Sequence, residues 1–262
     1  MKKRSQFSLV YLLGAITLVA LVLGDIARGL HQHGRQEAAL QAISPRENFS
    51  VRYENRPLMF LPLVRWSAFR TPERLSLYQM PTADVLEKYL LTLIDLECLE
   101  CNGPPGISLQ RSIGTDRMTD AHLKVIQQLP RLKTINIFAA RITDQGLALF
   151  HEQGNHRLQW LSISDCPQLT SDGLAGLERF SQLKEITLIG LDLDDNVIEH
   201  LEDLPNIQTI KIWKCNVSLE AAQGLKEHYG EHVTISWSGY SHESQEELRW
   251  KGERSGSDSD RP

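Results

Sequence analysis

The residues that could do chemistry fall into a few small groups. Cys98 and Cys101 form C-x-x-C, the spacing of a redox dithiol or of half a zinc site. No second pair lies at zinc spacing and no thioredoxin-like strand–helix–strand unit surrounds them, so two incidental thiols or a local bridge are expected. Asp192, Asp194 and Asn196 in "DLDDNVIEHLED" occupy odd positions of a calcium-loop pattern. Val197 replaces the glycine such a loop needs for its turn, and Asp203 stands where a bidentate Glu is usual, so calcium is not expected. "HESQE" (His242–Glu246) lacks the second histidine of H-E-x-x-H. His228 and His232 are a helical turn apart, but Gly230 interrupts the helix between them; His31 and His33 read as solvated. Gly146 in "ITDQGLALF" and Gly173 in "LTSDGLAGL" recur without either glycine pattern that cradles a phosphate. There is no G-x-S-x-G. The chain is therefore expected to carry no catalytic residue, metal site or cofactor, and not to be an enzyme.

The elements that hold these residues have to be read from composition and periodicity. The 262 residues carry a formal charge of −5, unevenly spread. Residues 1–80 hold 11 Lys/Arg against 5 Asp/Glu, whereas residues 81–262 hold 17 against 28. An acidic main body argues against nucleic acid as a partner, because backbone binding needs clustered cations. The basic front end brackets an uncharged run, "FSLVYLLGAITLVALVLG", Phe7–Gly24. A helix of this length nearly spans the hydrocarbon core. Lys2, Lys3 and Arg4 before it would stay in the cytoplasm as a basic stub (1–6), which places everything after Asp25 outside. Cleavage as a signal peptide is the other reading; its apolar region would be long and no A-x-A site is present, so the uncleaved single-pass anchor is preferred.

Residues 25–81 are irregular, proline-interrupted and arginine-rich, and read as a juxtamembrane connector. "TADVLEKYLLTLIDL" (Thr82–Leu96) has a capped start and leucines at helical spacing. Residues 239–262 lack apolar periodicity and are expected to be disordered.

Between these lies a repeat. Apolar openers at Met118, Ile142, Leu169, Leu193 and Val217 are spaced 24, 27, 24 and 24 apart. Eight residues after each comes another apolar side chain, the inner stripe of a short helix. Upstream of the last four openers, Leu132–Ile135–Ile137, Leu158–Leu161–Ile163, Leu183–Ile186–Leu188 and Ile207–Ile210–Ile212 share an L-x-x-L-x-L spacing. Three residues later stand Ala140, Cys166, Leu191 and Cys215. A short strand, a turn and a helix per unit cannot bury an apolar face alone, but stacked neighbours can. Thr143/Asp144, Thr170/Asp172, Asp194/Asp195 and Ser218 are placed to cap the helix starts. Gly146 and Gly173 read as close-packing positions. Cys166 and Cys215, about 10 Å apart at a strand spacing near 4.8 Å, should be free and buried.

These segments resemble leucine-rich repeats of the cysteine-containing and ribonuclease-inhibitor-like classes. With its anchor the chain is similar to bacterial membrane-anchored leucine-rich repeat proteins. The resemblance covers Met118–Trp237 and implies an α/β solenoid (118–238) of about four to five repeats, with parallel strands on a concave face. It departs at the first unit, where Arg111 falls on a core position, so 82–117 reads as a helix plus an irregular cap. In such a fold the outward strand positions are the binding surface. Phe138, Trp160, Glu185, Ile189, Lys211 and Trp213 are the candidates there, and an exposed aromatic is a common anchor for a protein or peptide partner. A structural envelope role, or stacking on a glycan of the cell wall, are the alternatives.

Overall fold

The computed structural model describes residues 4–43, 49–55, 70–102, 117–153, 157–239 and 248–249. A long helix, α1 (Arg4–Ile43), is followed by β1 (Phe49–Asn55) and β2 (Arg70–Leu77). Helices and strands then alternate: α2 (Ala83–Leu90), β3 (Cys98–Cys101), α3 (Asp120–Ile126), β4 (Thr134–Phe138), α4 (Asp144–Gln153) and β5 (Trp160–Ser164). After two 3₁₀ turns come β6 (Glu185–Ile189), α5 (Val197–Leu201), β7 (Thr209–Cys215), α6 (Leu219–Tyr229), β8 (Thr234–Gly239) and β9 (Leu248–Arg249). All nine strands form one sheet in chain order. Strands β2 to β8 are parallel, and β1 and β9 lie antiparallel at the two edges.

The period-two pattern explains the layering. Ile135, Ile137, Leu161, Ile163, Ile186, Leu188, Ile210 and Ile212 point to the helix side and are buried, together with Leu158 and Ile207 ahead of their strands. They merge with Leu123, Ile126, Leu147, Phe150, Leu174, Leu201 and Leu225 from the helices and turns into one core. At the ends of β4 to β7 the chain bends through an equivalent left-handed residue each time: Ala139, Asp165, Gly190 and Lys214, with φ of 52°, 54°, 60° and 55°. That bend turns the next side chain (Ala140, Cys166, Leu191 or Cys215) into the core, where each is almost fully buried.

Several sequence expectations change. The stretch 25–81 is more than a connector: α1 runs on to Ile43, and β1 and β2 join the sheet. β2 follows the repeat as Pro72-x-x-Leu75-x-Leu77, in register with Leu99 and Cys101. The cap at 82–117 contributes a strand of the repeat, because Leu99 and Cys101 of Leu96-x-x-Leu99-x-Cys101 pair in register with Ile135 and Ile137. Arg111 and Ile113, expected as that unit's strand pair, lie outside the described residues. The helix expected over Thr82–Leu96 ends at Leu90. The third unit's helix is replaced by 3₁₀ turns at Ser171–Leu174 and Leu177–Arg179, separated at Gly176, whose φ is 96°. From the tail, Leu248–Arg249 returns to pair with Ser236 and Trp237; residues 240–247 and 250–262 lie outside the described residues.

Among the described residues no helix is long and apolar enough to cross a membrane. Residues 7–24 are continuous with α1, but the side chains of 7–16 lie outside the described residues. Of those that follow, Val19, Leu21 and Leu23 are each more than half exposed. The far end of α1 closes the core: Ala39, Leu40 and Ile43 are buried against it. Gln32 Nε2 donates to Asp95 Oδ2 at 3.4 Å, and Tyr53 OH donates to Glu37 Oε1 at 2.8 Å. Asp95 also accepts from Arg131 at 3.0 Å, so one buried carboxylate ties α1 to two successive units.

Candidate functional site

The two loudest sequence motifs are structural, and their bonding explains them. Asp120 accepts from the backbone N–H and the hydroxyl of Thr143, at 2.9 and 2.8 Å. Asp144 does the same for Thr170, at 2.8 and 2.8 Å. One unit on, Ser171 Oγ accepts from the Asp194 N–H and donates to its carboxylate. Asp195 accepts from the Ser218 N–H at 2.7 Å. Asp120, Asp144 and Asp195 therefore reach the next unit, whereas Asp194 binds the preceding one. Hydroxyls cap locally, as Gly146 N–H donates to Thr143 Oγ1 and Ala221 N–H to Ser218 Oγ, and at α3 His122 Nδ1 accepts from the Thr119 N–H. The glycine completes the motif. A Cβ on Gly146 would lie 2.0 Å from Asp120 Oδ1, and one on Gly173 2.4 Å from Asp144 Oδ1. In T-D-x-G, Thr receives the previous unit's Asp, Asp binds the next unit's Thr, and Gly leaves room for that previous Asp.

This also occupies the calcium-like acids. Asp194 bonds Ser171 and Asn196, Asp195 bonds Ser218, and Asp192 accepts from Asn216. The Ser171 hydrogen bond holds the Asp194 carboxyl below its ordinary pKa. Among the described residues no cluster of His, Cys, Asp and Glu is arranged to hold a metal ion.

The cysteines are all free and buried. Cys101 points into the core, in register with Ile137, whereas Cys98 is in register with Thr134 on the opposite face. Strand alternation thus separates the C-x-x-C sulfurs to two sides of the sheet. Burial raises the Cys98 thiol to about 11 and the Cys101 thiol to about 12, so neither is a ready nucleophile. Cys166 is raised to about 11 and Cys215 is raised too, again by burial, and each donates to a strand-end carbonyl, Ser164 at 3.4 Å and Trp213 at 3.3 Å.

What remains is the sheet face away from the helices. Register alignment sorts it into three rows. The first contains Arg74, Cys98, Thr134, Trp160, Glu185, Thr209 and Thr234. The second contains Ser76, Glu100, Asn136, Ser162, Thr187, Lys211 and Ser236. The third runs Phe138, Ser164, Ile189, Trp213 and Ser238.

Of the six predicted residues, Ile189 and Trp213 are register partners on β6 and β7, and Phe138 shares their row on β4. Trp160 stands apart, at the start of β5, and is 39% exposed. Phe138, Ile189 and Trp213 are partly exposed. The Trp213 indole N–H donates to Ser236 Oγ at 3.1 Å, which fixes the ring on the neighbouring strand. Glu185 and Lys211 are brought together as an ion pair. At the other end of the sheet Arg74 pairs with Glu100 at 2.8 Å, and Ser76 donates to the same carboxylate at 2.6 Å. Such half-exposed pairs contribute about 0–1 kcal/mol each. Their larger consequence is electrostatic: each pair neutralises itself, Arg52 on β1 stands beside Arg74 as a further cation, and the ground between the pairs (Thr134, Asn136, Ser162, Thr187) is polar and uncharged.

No protein-family model matches the chain, and no curated protein shows significant similarity to it.

The sequence reading missed the β2–β3 end of this face, with Arg74, Ser76, Glu100 and Asn102. Asn102 Oδ1 accepts from Asn136 Nδ2 at 3.3 Å, continuing the polar ground. The signal was present in Leu96-x-x-Leu99-x-Cys101, but the next strand follows 36 residues on instead of about 25.

Proposed function

We propose that the chain is a non-enzymatic, membrane-anchored interaction protein. On this reading the alternating body is a leucine-rich repeat solenoid whose outward sheet face binds a protein or peptide. Residues 7–24 anchor it, the basic stub stays in the cytoplasm, and the repeats stand outside the cytoplasmic membrane.

The observation that carries the binding role is the composition and state of that face. Its two charged pairs, Arg74–Glu100 and Glu185–Lys211, neutralise themselves. Its middle offers hydroxyls and amides, and large side chains (Trp160, Phe138, Ile189 and Trp213) remain partly uncovered on a rigid parallel sheet. Rigid aromatics beside adaptable polar groups suit a protein partner, because little side-chain entropy is lost when they bind. Three features support the anchor: the uncharged run, its helical continuity with α1, and the uncovered apolar side chains just before Gly24, since a helix apolar on all sides needs lipid or protein around it.

Site-specific photo-crosslinking in cells tests the binding role. A photoreactive side chain at Thr187, central on the face, is expected to give a discrete heavier adduct. The same group at Gln223, exposed on α6, should give none. Equal labelling from both positions, or none from Thr187, would remove the face as the binding surface.

A further inference from the structure

Where β5 ends, the rim of the outward face carries a carboxylate that is held in place without being bonded. Asp165 follows Ser164 of the third row and occupies the left-handed bend, at φ 54°. Among the described residues no hydrogen bond or ion pair reaches its side chain. Its backbone N–H donates to the Ile189 carbonyl at 2.8 Å, and a Cβ on Gly190 would lie 2.5 Å from Asp165 Oδ1. The carboxylate therefore lies over Gly190, in the place that a side chain of the next bend would take. The bend itself does not require an acid, since Ala139, Gly190 and Lys214 adopt the same conformation. Partial burial raises the Asp165 carboxyl above its ordinary pKa, against the opposing pull of Lys214. Lys214 is exposed on the same rim, two strands away, and makes no ion pair with it.

The ground beside this carboxylate is apolar. Phe138 and Ile189 are the register neighbours of Ser164 on either side, and both are partly exposed beside a serine that is buried. Trp213 continues the row beyond Ile189. At a strand spacing near 4.8 Å the strip from Phe138 to Trp213 is about 14 Å long. The Asp165 carboxylate, leaning over Gly190, stands beside its middle. A metal ion needs several oxygen ligands, and among the described residues no cluster supplies them. An apolar strip with one partly desolvated carboxylate at its rim suits a side chain with an aliphatic stem and a cationic head, which is arginine or lysine.

We propose that the outward face takes a peptide segment whose arginine or lysine docks at Asp165, with flanking apolar side chains on Phe138, Ile189 and Trp213. The inference rests on the binding role proposed above and narrows its partner to a segment that is both basic and apolar. The stem lies over Ile189, and the head reaches the carboxylate above Gly190. Arginine is favoured, because its planar head donates two hydrogen bonds to one carboxylate and stacks on an aromatic ring. Lys214 competes for the same carboxylate, so it weakens the docking.

The test uses the full chain in nanodiscs of phosphatidylcholine, which carry no net charge to attract basic peptides. The probe is a set of end-blocked decapeptide pools with a fixed central residue (arginine, lysine, citrulline, leucine or glutamate) between randomised neighbours. The wild type is expected to retain arginine peptides about tenfold over citrulline peptides, which keep the shape of arginine without its charge. Asp165→Asn should lose that preference and still melt like the wild type, because asparagine accepts a left-handed backbone. Asp165→Lys should turn the preference towards glutamate. Should both variants misfold, Lys214→Asn, at an exposed position, removes the competing cation and should strengthen the retention of arginine. Equal retention of arginine and citrulline peptides by the wild type would overturn the proposal while leaving the face a binding surface. So would an Asp165→Asn variant that keeps the preference, or a Lys214→Asn variant that does not strengthen it. Retention of no pool would overturn it too, and the Thr187 crosslink then decides whether the binding role falls with it.

Discussion

Gly173→Ala is expected to destabilise the protein by about 3 kcal/mol, by overpacking the junction between two units. The new methyl would meet Asp144 Oδ1 at 2.4 Å, Leu169 Cδ1 at 2.7 Å and Asp144 Cα at 3.0 Å. The last of these is backbone, so relief requires moving one unit against the next. Gly146→Ala should cost a similar amount by another route. There the obstacles are the Asp120 side-chain atoms, at 2.0 Å for Oδ1, 2.2 Å for Cγ and 2.8 Å for Cβ. Swinging that carboxylate away breaks both of its bonds to Thr143, and hydrogen bonds to charged groups contribute about 1.5–3 kcal/mol each. The two cases separate in double variants. With Asp120→Ala in the background, Gly146→Ala should become nearly free; with Asp144→Ala, Gly173→Ala should remain costly. Gly224→Ala, in α6 with nothing within 4 Å, is the control and should stabilise by roughly 0.5–1 kcal/mol. Urea unfolding of the three glycine variants, the two Asp→Ala variants and the two double variants reads these values. Equal effects at 146 and 224 would show that the Asp–Thr contacts between successive units do not set the packing.

The protein should also lose stability on mild acidification, through one histidine. His151 is 2% exposed at the end of α4, with its ring edge-on to Phe180 at 5.2 Å between centroids. Its Nδ1 lies 3.1 Å from the Ala175 carbonyl, which can only accept, so Nδ1 carries the proton of the neutral ring. Burial pushes its pKa down to about 4 from an ordinary 6.5, outweighing that carbonyl's pull in the other direction. An unfolded chain would take up a proton near pH 6.5, whereas the folded one resists until about pH 4. Stability is thus fully present above pH 6.5 and falls as pH drops towards 4, with a loss on the order of 3 kcal/mol. His151→Gln should flatten that part of the profile while lowering stability at pH 7. Parallel profiles for wild type and variant would remove His151 as the cause.

The parts of the fold that could be read beforehand are those written by short-range periodicity. Leu158–Leu161–Ile163–Cys166 and Ile207–Ile210–Ile212–Cys215 show both the strand alternation and the small side chain at the bend, because each position answers to its own burial. The β2 and β3 units escaped because Pro72 replaces the first leucine, Cys101 replaces the last one, and the insertion at 103–116 breaks the spacing. The Asp–Thr contacts between units were half visible. Thr, Asp and Gly at fixed offsets were clear, but an Asp that caps its own helix and one that reaches the next unit look the same in sequence. Asp120 and Asp144 became distinguishable only by what stood 23 and 26 residues downstream. On the outward face, alternation showed that Glu185 and Lys211 face out, but not that they neutralise each other.

The central claim, that the outward sheet face is a binding surface, is tested most directly by Trp160→Ala combined with Trp213→Ala in the Thr187 photo-crosslinking experiment. Both rings are at least partly exposed, so the melting curve should shift only slightly, while the crosslinked adduct should fall by tenfold or more if each ring contributes about 1–2 kcal/mol as an interface anchor. An undiminished adduct, or a large drop in melting temperature accompanying the loss, would contradict the claim and return these tryptophans to the packing of the protein itself.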